Sequence, residues 1–466
     1  MWAWGLAGVF FTLYATLSVR LHRRLLTTGY DLGIFEQAVR SYAHGNLPVS
    51  ELKGPDFPLL GDHFSPITAT IAPLYRIWPS PITLLVVQAA LLSLAVVPLT
   101  RWAHRAIGRA GALVIGVGYG ASWGIAQAVG FDFHEVCFAV PLLAFCLEAL
   151  GRDRPRTAVA WALPLLLVKE DLGLTVTVVG LLIAHRGHRR LGLATAATGL
   201  IGTLVTVLLV IPAFNPGGSY AYLAKVPASS TESGMDLVDL LRQFTIGMVT
   251  PEVKLTTLLM LLAPSAFLAL RSPLAWLAVP TLIWRFASDN PAYWGTDYHY
   301  SAVLMPVVFS AFIDALTRSH RPTRRPDLVG GRRGTLTISA VVTASTLPLF
   351  PLGQLADKAT WHTGPRVAAA HRILDLVPDG ATVSASNRLV PQLTHRCTVT
   401  VFGWPVSRST SEWIVVDTAT PQGWPIAPDQ ERRLLEQSRA DGYRTVVESD
   451  GYILLRRSAA TASSPG

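Results

Sequence analysis

The sequence predicts a mainly α-helical, polytopic membrane protein of about eleven transmembrane helices, with a small C-terminal α/β domain outside the membrane. Three observations predict it. Half of the 466 residues are hydrophobic and only 15% are charged, against roughly 25% charged residues in soluble domains. Apolar runs recur from residue 2 to residue 352, parted by short arginine clusters. Beyond residue 352 the pattern changes to short strands alternating with amphipathic helices.

The apolar segments fall at 2–19, 82–99, 112–130, 136–150, 157–168, 172–184, 191–212, 255–270, 273–286, 301–317 and 335–352. Several are shorter than the ~20 residues of a straight span, so their ends include flanking polar turns. The first run has no basic leader and no A-x-A site, so it reads as a retained helix. A cytoplasmic N-terminus puts every short basic loop on one face: Arg101, Arg105, Arg109; Arg152, Arg154, Arg156; Arg186, Arg189, Arg190; Arg271; and Arg318, Arg321, Arg324, Arg325, Arg332, Arg333. That is the positive-inside pattern. The net charge of +9 therefore reads as orientation and anionic lipid contact. Nucleic acid is not expected, because no stacking aromatics or nucleic-acid motif interleave the basic clusters. Arginine far outnumbers lysine, the bias of a GC-rich bacterial genome, and the expected location is the bacterial plasma membrane. The three cysteines, Cys137, Cys146 and Cys397, lack metal-type spacing; Cys137 and Cys146 share an apolar segment and read as buried hydrophobes.

"LLVKEDLGLTV", residues 166–176, breaks an apolar run with three charges. Each costs roughly 2.5–3.5 kcal/mol at a bilayer centre. One helix over 157–184 would put the basic clusters 152–156 and 186–190 on opposite sides, whereas a hairpin keeps both inside. Its arms are short for a ~30 Å core at 1.5 Å per residue. Lys169, Glu170 and Asp171 then sit at a tip recessed below the outer surface. The plainer alternative is that Lys169 and Glu170 pair with each other and snorkel outward.

The same map gathers the other unusual polar clusters outside. The long first outer loop, 20–81, holds "YDLGIFEQAVRSYAHGN" and "GDHFSP"; later outer loops hold "FDFHE", the amphipathic "MDLVDLLRQF" and "DNPAYWGTDYHYS". Asp31 precedes Phe35, Val39 and Tyr42 at helical spacing, with Gly45 to end the helix, so an amphipathic helix on the outer membrane surface is expected. Asp31 fits a helix N-cap, and equally a general base at a cavity mouth. Asp62 and His63, Asp132, His134 and Glu135, and Asp297, His299 and Tyr300 stand in loops next to spans. Histidines with carboxylates suit acid–base work or a divalent cation such as Mg or Mn, with Asp62, His63, Asp132, His134 and Glu135 as the candidate ligands. A structural zinc site is not expected, since no HExxH-type spacing occurs. Lys169, Arg285 and the trio Arg20, Arg23 and Arg24 are candidate anion binders for a lipid phosphate. In "GVGYGAS", Gly116 and Gly120 form a GxxxG pair suited to close helix packing.

The expected organisation is a transmembrane domain over 1–352, an extracytoplasmic α/β domain over 353–457 and a disordered tail over 458–466. In the second domain "RVAAAHRILDLVP" and "QERRLLEQSRADG" read as helices. "ATVSAS", "TVTVF" and "WIVVDT" read as strands, and "YRTVVES" and "YILLRR" as a hairpin turning at Asp450–Gly451.

The ordered run "YDLGIFEQ", "GDHFSP", "FDFHEVCFAVPLLAF", "KEDLGL" and "YHY" resembles a prokaryotic family of predicted membrane proteins of unknown function, over essentially the whole chain. That family is distantly similar to the GT-C glycosyltransferases, polytopic enzymes that use polyprenyl-phosphate sugars and carry a catalytic acid in their first outer loop. The resemblance implies Asp31 as that acid. Many GT-C enzymes show paired acids there, whereas here Leu32 follows Asp31, and Glu36 is the second acid on offer.

The expected function is transfer of a sugar from a polyprenyl-phosphate donor to a glycan or lipid acceptor of the envelope. Asp31 and Glu36 are its catalytic candidates; Lys169, Glu170, Asp171, Arg285, Asp297, His299 and Tyr300 are its donor-binding candidates. The rival is a transporter or flippase of a polar or lipid-linked solute, with Lys169, Glu170 and Asp171 as a coupling site. A third reading is a non-catalytic envelope scaffold.

Overall fold

The computed structural model describes residues 1–222, 245–318, 331–406 and 410–458. "MDLVDLLRQF", Arg321, Arg324, Arg325 and the tail beyond Ser458 lie outside the described residues. The chain forms two compact units. The first joins Met1–Ser18, Leu60–Thr68 and Val86–Asp357; the second joins Val19–Leu59, Ala69–Leu85 and Lys358–Gly466.

The first unit is helical. Three stretches are long and apolar enough to cross a bilayer: Trp2–Arg23, Pro81–Gly130 and Arg189–Phe214. Shorter apolar helices run over Val136–Gly151, Leu172–His185 and Pro273–Ala287. The apolar stretches 82–99 and 112–130 were expected to be joined by an arginine-bearing loop. Instead the chain stays helical through Arg101 and Arg105 and breaks at one residue, Gly108 (φ 79°, ψ 179°). That conformation is open to glycine and strained for other residues. The expected hairpin over 157–184 is present. Helix Pro155–Ala162 continues into a 3-10 turn over Leu163–Leu167, the charged residues occupy the break, and Leu172–His185 returns.

Glycine decides how these helices approach. A Cβ at Gly116 would overlap Leu6 and Thr100, and one at Gly120 would overlap the Phe10 ring, so the GxxxG pair lies against the N-terminal helix. A second seam, not singled out from the sequence, meets backbone rather than side chains. Gly180 and Gly192 face each other across Leu172–His185 and Arg189–Val205, and a Cβ at Gly199 would lie 2.5 Å from the Gly173 carbonyl oxygen. Backbone meets backbone there, and backbone cannot rotate away as a side chain can. Gly180→Leu is therefore expected to cost more than the ~1–3 kcal/mol typical of an overpacked core. In detergent it should melt well below wild type and elute as aggregate, with Gly180→Ala intermediate. An unchanged melting temperature would refute the seam.

The second unit holds a five-stranded sheet in the order β2-β1-β3-β5-β4. β1 (Thr382–Ala385), β2 (Thr398–Val401) and β3 (Trp413–Asp417) are parallel; β5 (Tyr452–Arg457) lies antiparallel to β3 and to β4 (Tyr443–Ser449). β3 is buried throughout, as expected of a central strand covered on both faces. The β4–β5 turn places Asp450 and Gly451 at φ 52° and 79°, the positive pair of a type I′ hairpin. Phe402, Ile414, Val416, Leu435, Tyr443, Ile453 and Leu455 form its core, bringing helix Pro428–Ala440 onto the sheet.

Most of the stretch 20–81 belongs to this unit, with Leu60–Thr68 in the first. Helix Ile34–Ala43 was expected to lie on lipid; instead Ile34 to Val39 are all buried in protein. Gln37 Nε2 donates to the Val399 carbonyl at 3.0 Å, and Arg40 Nη1 donates to those of Thr394 (2.7 Å) and Cys397 (3.0 Å). Just before the helix, Gly29 N–H donates to the Asn387 carbonyl at 2.8 Å, and a Cβ there would lie 2.6 Å from Val390. Amphipathicity is visible in a sequence; whether the apolar stripe meets lipid or protein is not.

Candidate functional site

In the first unit four loops bring ionisable and aromatic side chains together, and Glu170 and Lys169 hold the centre. Glu170 Oε1 lies 2.9 Å from His63 Nδ1 and accepts from the Tyr220 hydroxyl at 2.7 Å; Oε2 accepts from the Phe64 N–H at 3.1 Å. Lys169 Nζ lies 3.0 Å from Glu135, with side-chain exposures of 12% and 2%. Lys169 thus pairs with Glu135, and the pairing with Glu170 weighed as the plainer alternative does not occur. Burial pulls the His63 imidazole down, but the Glu170 carboxylate beside it outweighs that and leaves its pKa above the ordinary value.

An aromatic wall flanks these pairs. The His134 and His299 rings stack with centroids 3.4 Å apart, and Phe131 and Tyr300 pack against them. Trp284 faces Lys169 at 6.0 Å from its ring centroid, and His63 stacks on Tyr222 at 4.5 Å. His63, Glu135, Lys169 and Glu170, named from three separate motifs, therefore converge in one buried network.

Other candidates take different places. Arg285, expected to bind phosphate, is fully buried. Its guanidinium donates to the carbonyls of Tyr293 (2.8 Å), Gly295 (2.9 Å) and Tyr300 (3.5 Å) and to Ser301 Oγ (3.1 Å). With its fork committed to backbone, Arg285 pins the 293–301 loop and so sets where His299 stands. Asp297 is exposed; Asp132 is buried with a left-handed backbone (φ 47°). Asp171 lies directly before the returning helix and makes no side-chain cap. The metal expectation finds no support in the arrangement of donors. Among the described residues no three of His, Cys, Asp and Glu form a cluster able to hold an ion. His63 and Glu135 are each turned to a protein partner.

Sequence reasoning passed over Gln88, whose signal was legible: a lone amide in "ITLLVVQAALLS". It is buried, donates to the carbonyls of Ala128 (3.1 Å) and Asp132 (2.6 Å) and accepts from the His134 N–H (3.0 Å). One amide thereby fixes the loop that carries His134 and Glu135. Tyr220 and Trp284 were also missed, and no local pattern marks either.

In the second unit Asp31 lies in a turn over Gly29–Gly33 with φ 141° and ψ −79°. The N-cap position of Ile34–Ala43 is occupied by Gly33, which corrects the N-cap expectation for Asp31. Glu36 is fully buried and accepts a short hydrogen bond from the Tyr75 hydroxyl, which removes it from any open site. Burial pushes its carboxyl up to about 7, against the opposing pull of Tyr75. Unfolded chains lose that proton near pH 4.5, while the folded protein keeps it until about pH 7. Stability is therefore expected to fall across that window, by about 3 kcal/mol in all, and to level off above it. Melting curves of the detergent-solubilised protein from pH 4.5 to 8 check this: Glu36→Gln should flatten the slope, and an equal slope in both proteins refutes the assignment.

Helices long enough to span, a buried ionic network between their loops and a separate α/β unit define a polytopic integral membrane protein. Residues 21–454 match the family described as Predicted membrane protein (DUF2079), and the chain belongs to that family. Among solved structures the fold is similar to ArnT from Cupriavidus metallidurans. The form bound to undecaprenyl phosphate is 13% identical, with a TM-score of 0.59 over 98% of each chain. The apo form is 14% identical, with a TM-score of 0.52 over 97% of each chain. At these identities the likeness is one of fold. No curated protein matches the chain.

Proposed function

We propose that the protein is an integral membrane glycosyltransferase that moves a sugar from a polyprenyl-phosphate donor to an envelope acceptor on the outer face of the plasma membrane. The observation that carries this reading is the buried Lys169–Glu135 pair, set in a fold similar to a protein solved with undecaprenyl phosphate. A buried ion pair adds little net stability over apolar packing, so its presence calls for another reason. Binding an anion is such a reason: one of the three Lys169 donors goes to Glu135, and a donor phosphate can take others. Glu170, Asp171, His299 and Tyr300 are assigned to the sugar hydroxyls. The base is assigned to Asp31, from the motif resemblance and from its strained backbone. In the step itself the acceptor oxygen bonds to the anomeric carbon and Asp31 takes the hydroxyl proton. The bond from that carbon to the phosphate oxygen breaks, and the lipid phosphate leaves with the electron pair. The accompanying topology is eleven crossings with the N-terminus cytoplasmic and the C-terminal unit outside.

The test uses full-length protein in proteoliposomes with a panel of undecaprenyl-phosphate hexoses and pentoses and an envelope fraction as acceptor. The expected result is release of undecaprenyl phosphate that depends on the acceptor. Gradient-driven movement of the donor without cleavage would replace this reading with the transporter.

A further inference from the structure

We infer that the first unit carries a site for a lipid with two phosphodiester groups, at the base of the hairpin whose tip holds Lys169 and Glu170. Helix Pro155–Ala162 starts from the loop at 152–154, and helix Arg189–Val205 starts from the loop at 186–188. Between the two starts lies a recess of about 720 Å³, lined by Arg154, Arg156, Thr157, His188, Arg189 and Arg190. It is built wholly from the first unit. None of the groups assigned to the sugar donor takes part in it, so the site stands apart from the transferase reading.

The charges of the lining select the ligand. All four arginines are exposed, and among the described residues none of them makes an ion pair, whereas their neighbour Arg152 is held by Glu148. Asp153 stands in the first loop but does not line the recess. Arg156, Arg189 and Arg190 fall in the first turns of their helices, where the dipole disfavours cations. Neither turn has an acid or a side-chain cap to offset them. The positive-inside rule calls for arginines on one side of the bilayer, but not for four round one hollow. A phosphate removes the repulsion, because guanidinium forks grip its oxygens in pairs. Each loop supplies two arginines, so the recess offers a cationic pair from either side and suits two linked phosphates. The same two helices turn apolar and open just beyond it: Trp161, Leu163 and Leu193 are 38%, 37% and 57% exposed. Leu193 stands only three residues past Arg190. A cationic recess running into an exposed apolar wall fits a head group with acyl chains, not a soluble anion. Diphosphatidylglycerol has that chemistry, and the topology proposed above puts it in the cytoplasmic leaflet.

Native mass spectrometry of the full-length protein in detergent tests this, with diphosphatidylglycerol, phosphatidylglycerol, phosphatidylcholine and inorganic pyrophosphate as probes. Physiological ionic strength screens charges more than about 8 Å apart, which suppresses general attraction to a basic surface. Diphosphatidylglycerol should bind about tenfold or more tightly than each of the other three. Arg154→Gln/Arg189→Gln should weaken it about tenfold or more, through the loss of two charge-assisted contacts. Arg101→Gln/Arg109→Gln removes the same charge from exposed positions outside the recess and should leave the affinity unchanged. Equal losses in the two double variants overturn the site, since net charge alone would then explain the binding. Pyrophosphate bound as tightly as diphosphatidylglycerol overturns the lipid, and phosphatidylglycerol bound as tightly overturns the second phosphate. Should Arg154→Gln/Arg189→Gln fail to fold, Arg156→Gln/Arg190→Gln decides in its place.

Discussion

Asp31→Asn is expected to slow sugar transfer by about 10²–10⁴-fold, the usual contribution of a positioned base, while leaving the protein folded. The amide keeps the shape of the carboxylate but accepts no proton at neutral pH. The backbone around it is held by other groups: the N–H groups of Gly29 and Tyr30 donate to Asn387, and the Asp31 carbonyl accepts from the Ile34 N–H. The φ of 141° costs on the order of 1–3 kcal/mol for a residue with a side chain. Asparagine, which visits positive φ more readily than most residues, adds nothing to that cost. Initial rates of undecaprenyl phosphate release and a melting curve, measured on the same preparation, separate the two effects. Wild-type rates in the variant would remove Asp31 from the chemistry.

The second large effect concerns Lys169. Lys169→Met leaves the Glu135 carboxylate, 2% exposed, without its cation. Breaking a buried pair from one side costs about 3–5 kcal/mol, so the single variant is expected to melt far below wild type. Removing both charges in Lys169→Met/Glu135→Leu takes away the orphaned carboxylate as well, and stability should return to near that of the wild type. Binding of undecaprenyl phosphate should not return, because the phosphate has lost its cation. If the double variant still binds the lipid as wild type does, Lys169 is a structural residue and the donor site lies elsewhere. A single variant as stable as wild type would refute the cost assigned to an unpaired Glu135 carboxylate.

Membrane character was legible because the bilayer restricts composition: spans need apolar runs with few charges. The helix–strand order of residues 366–457 was legible for the same kind of local reason, in patterns of period 3.6 and period 2. The polar motifs announced themselves because charge beside an apolar run is costly. Lys169 and Glu170 were named from that cost, and His63 and Glu135 from clusters of histidine with carboxylate in loops next to spans. Their partners could not be. Glu170 is 107 residues from His63 and Lys169 is 34 from Glu135, so nothing in the local pattern links them. Arg285 shows the same limit from the other side. An arginine near a span suggests a phosphate, and only the surrounding backbone shows its donors already taken by carbonyls.

What the chain determines by itself is therefore the inventory: apolar lengths, charged interruptions, turn residues such as Gly451, and the strand–helix rhythm after residue 352. Each follows from interactions within a few residues. Tertiary structure decided the pairings: Lys169 with Glu135, Glu170 with His63, Gly180 against Gly192, and helix Ile34–Ala43 on Val399 and Cys397 rather than on lipid. A burial or ion-pair energy belongs to two groups at once, and a one-dimensional pattern names only the first of them.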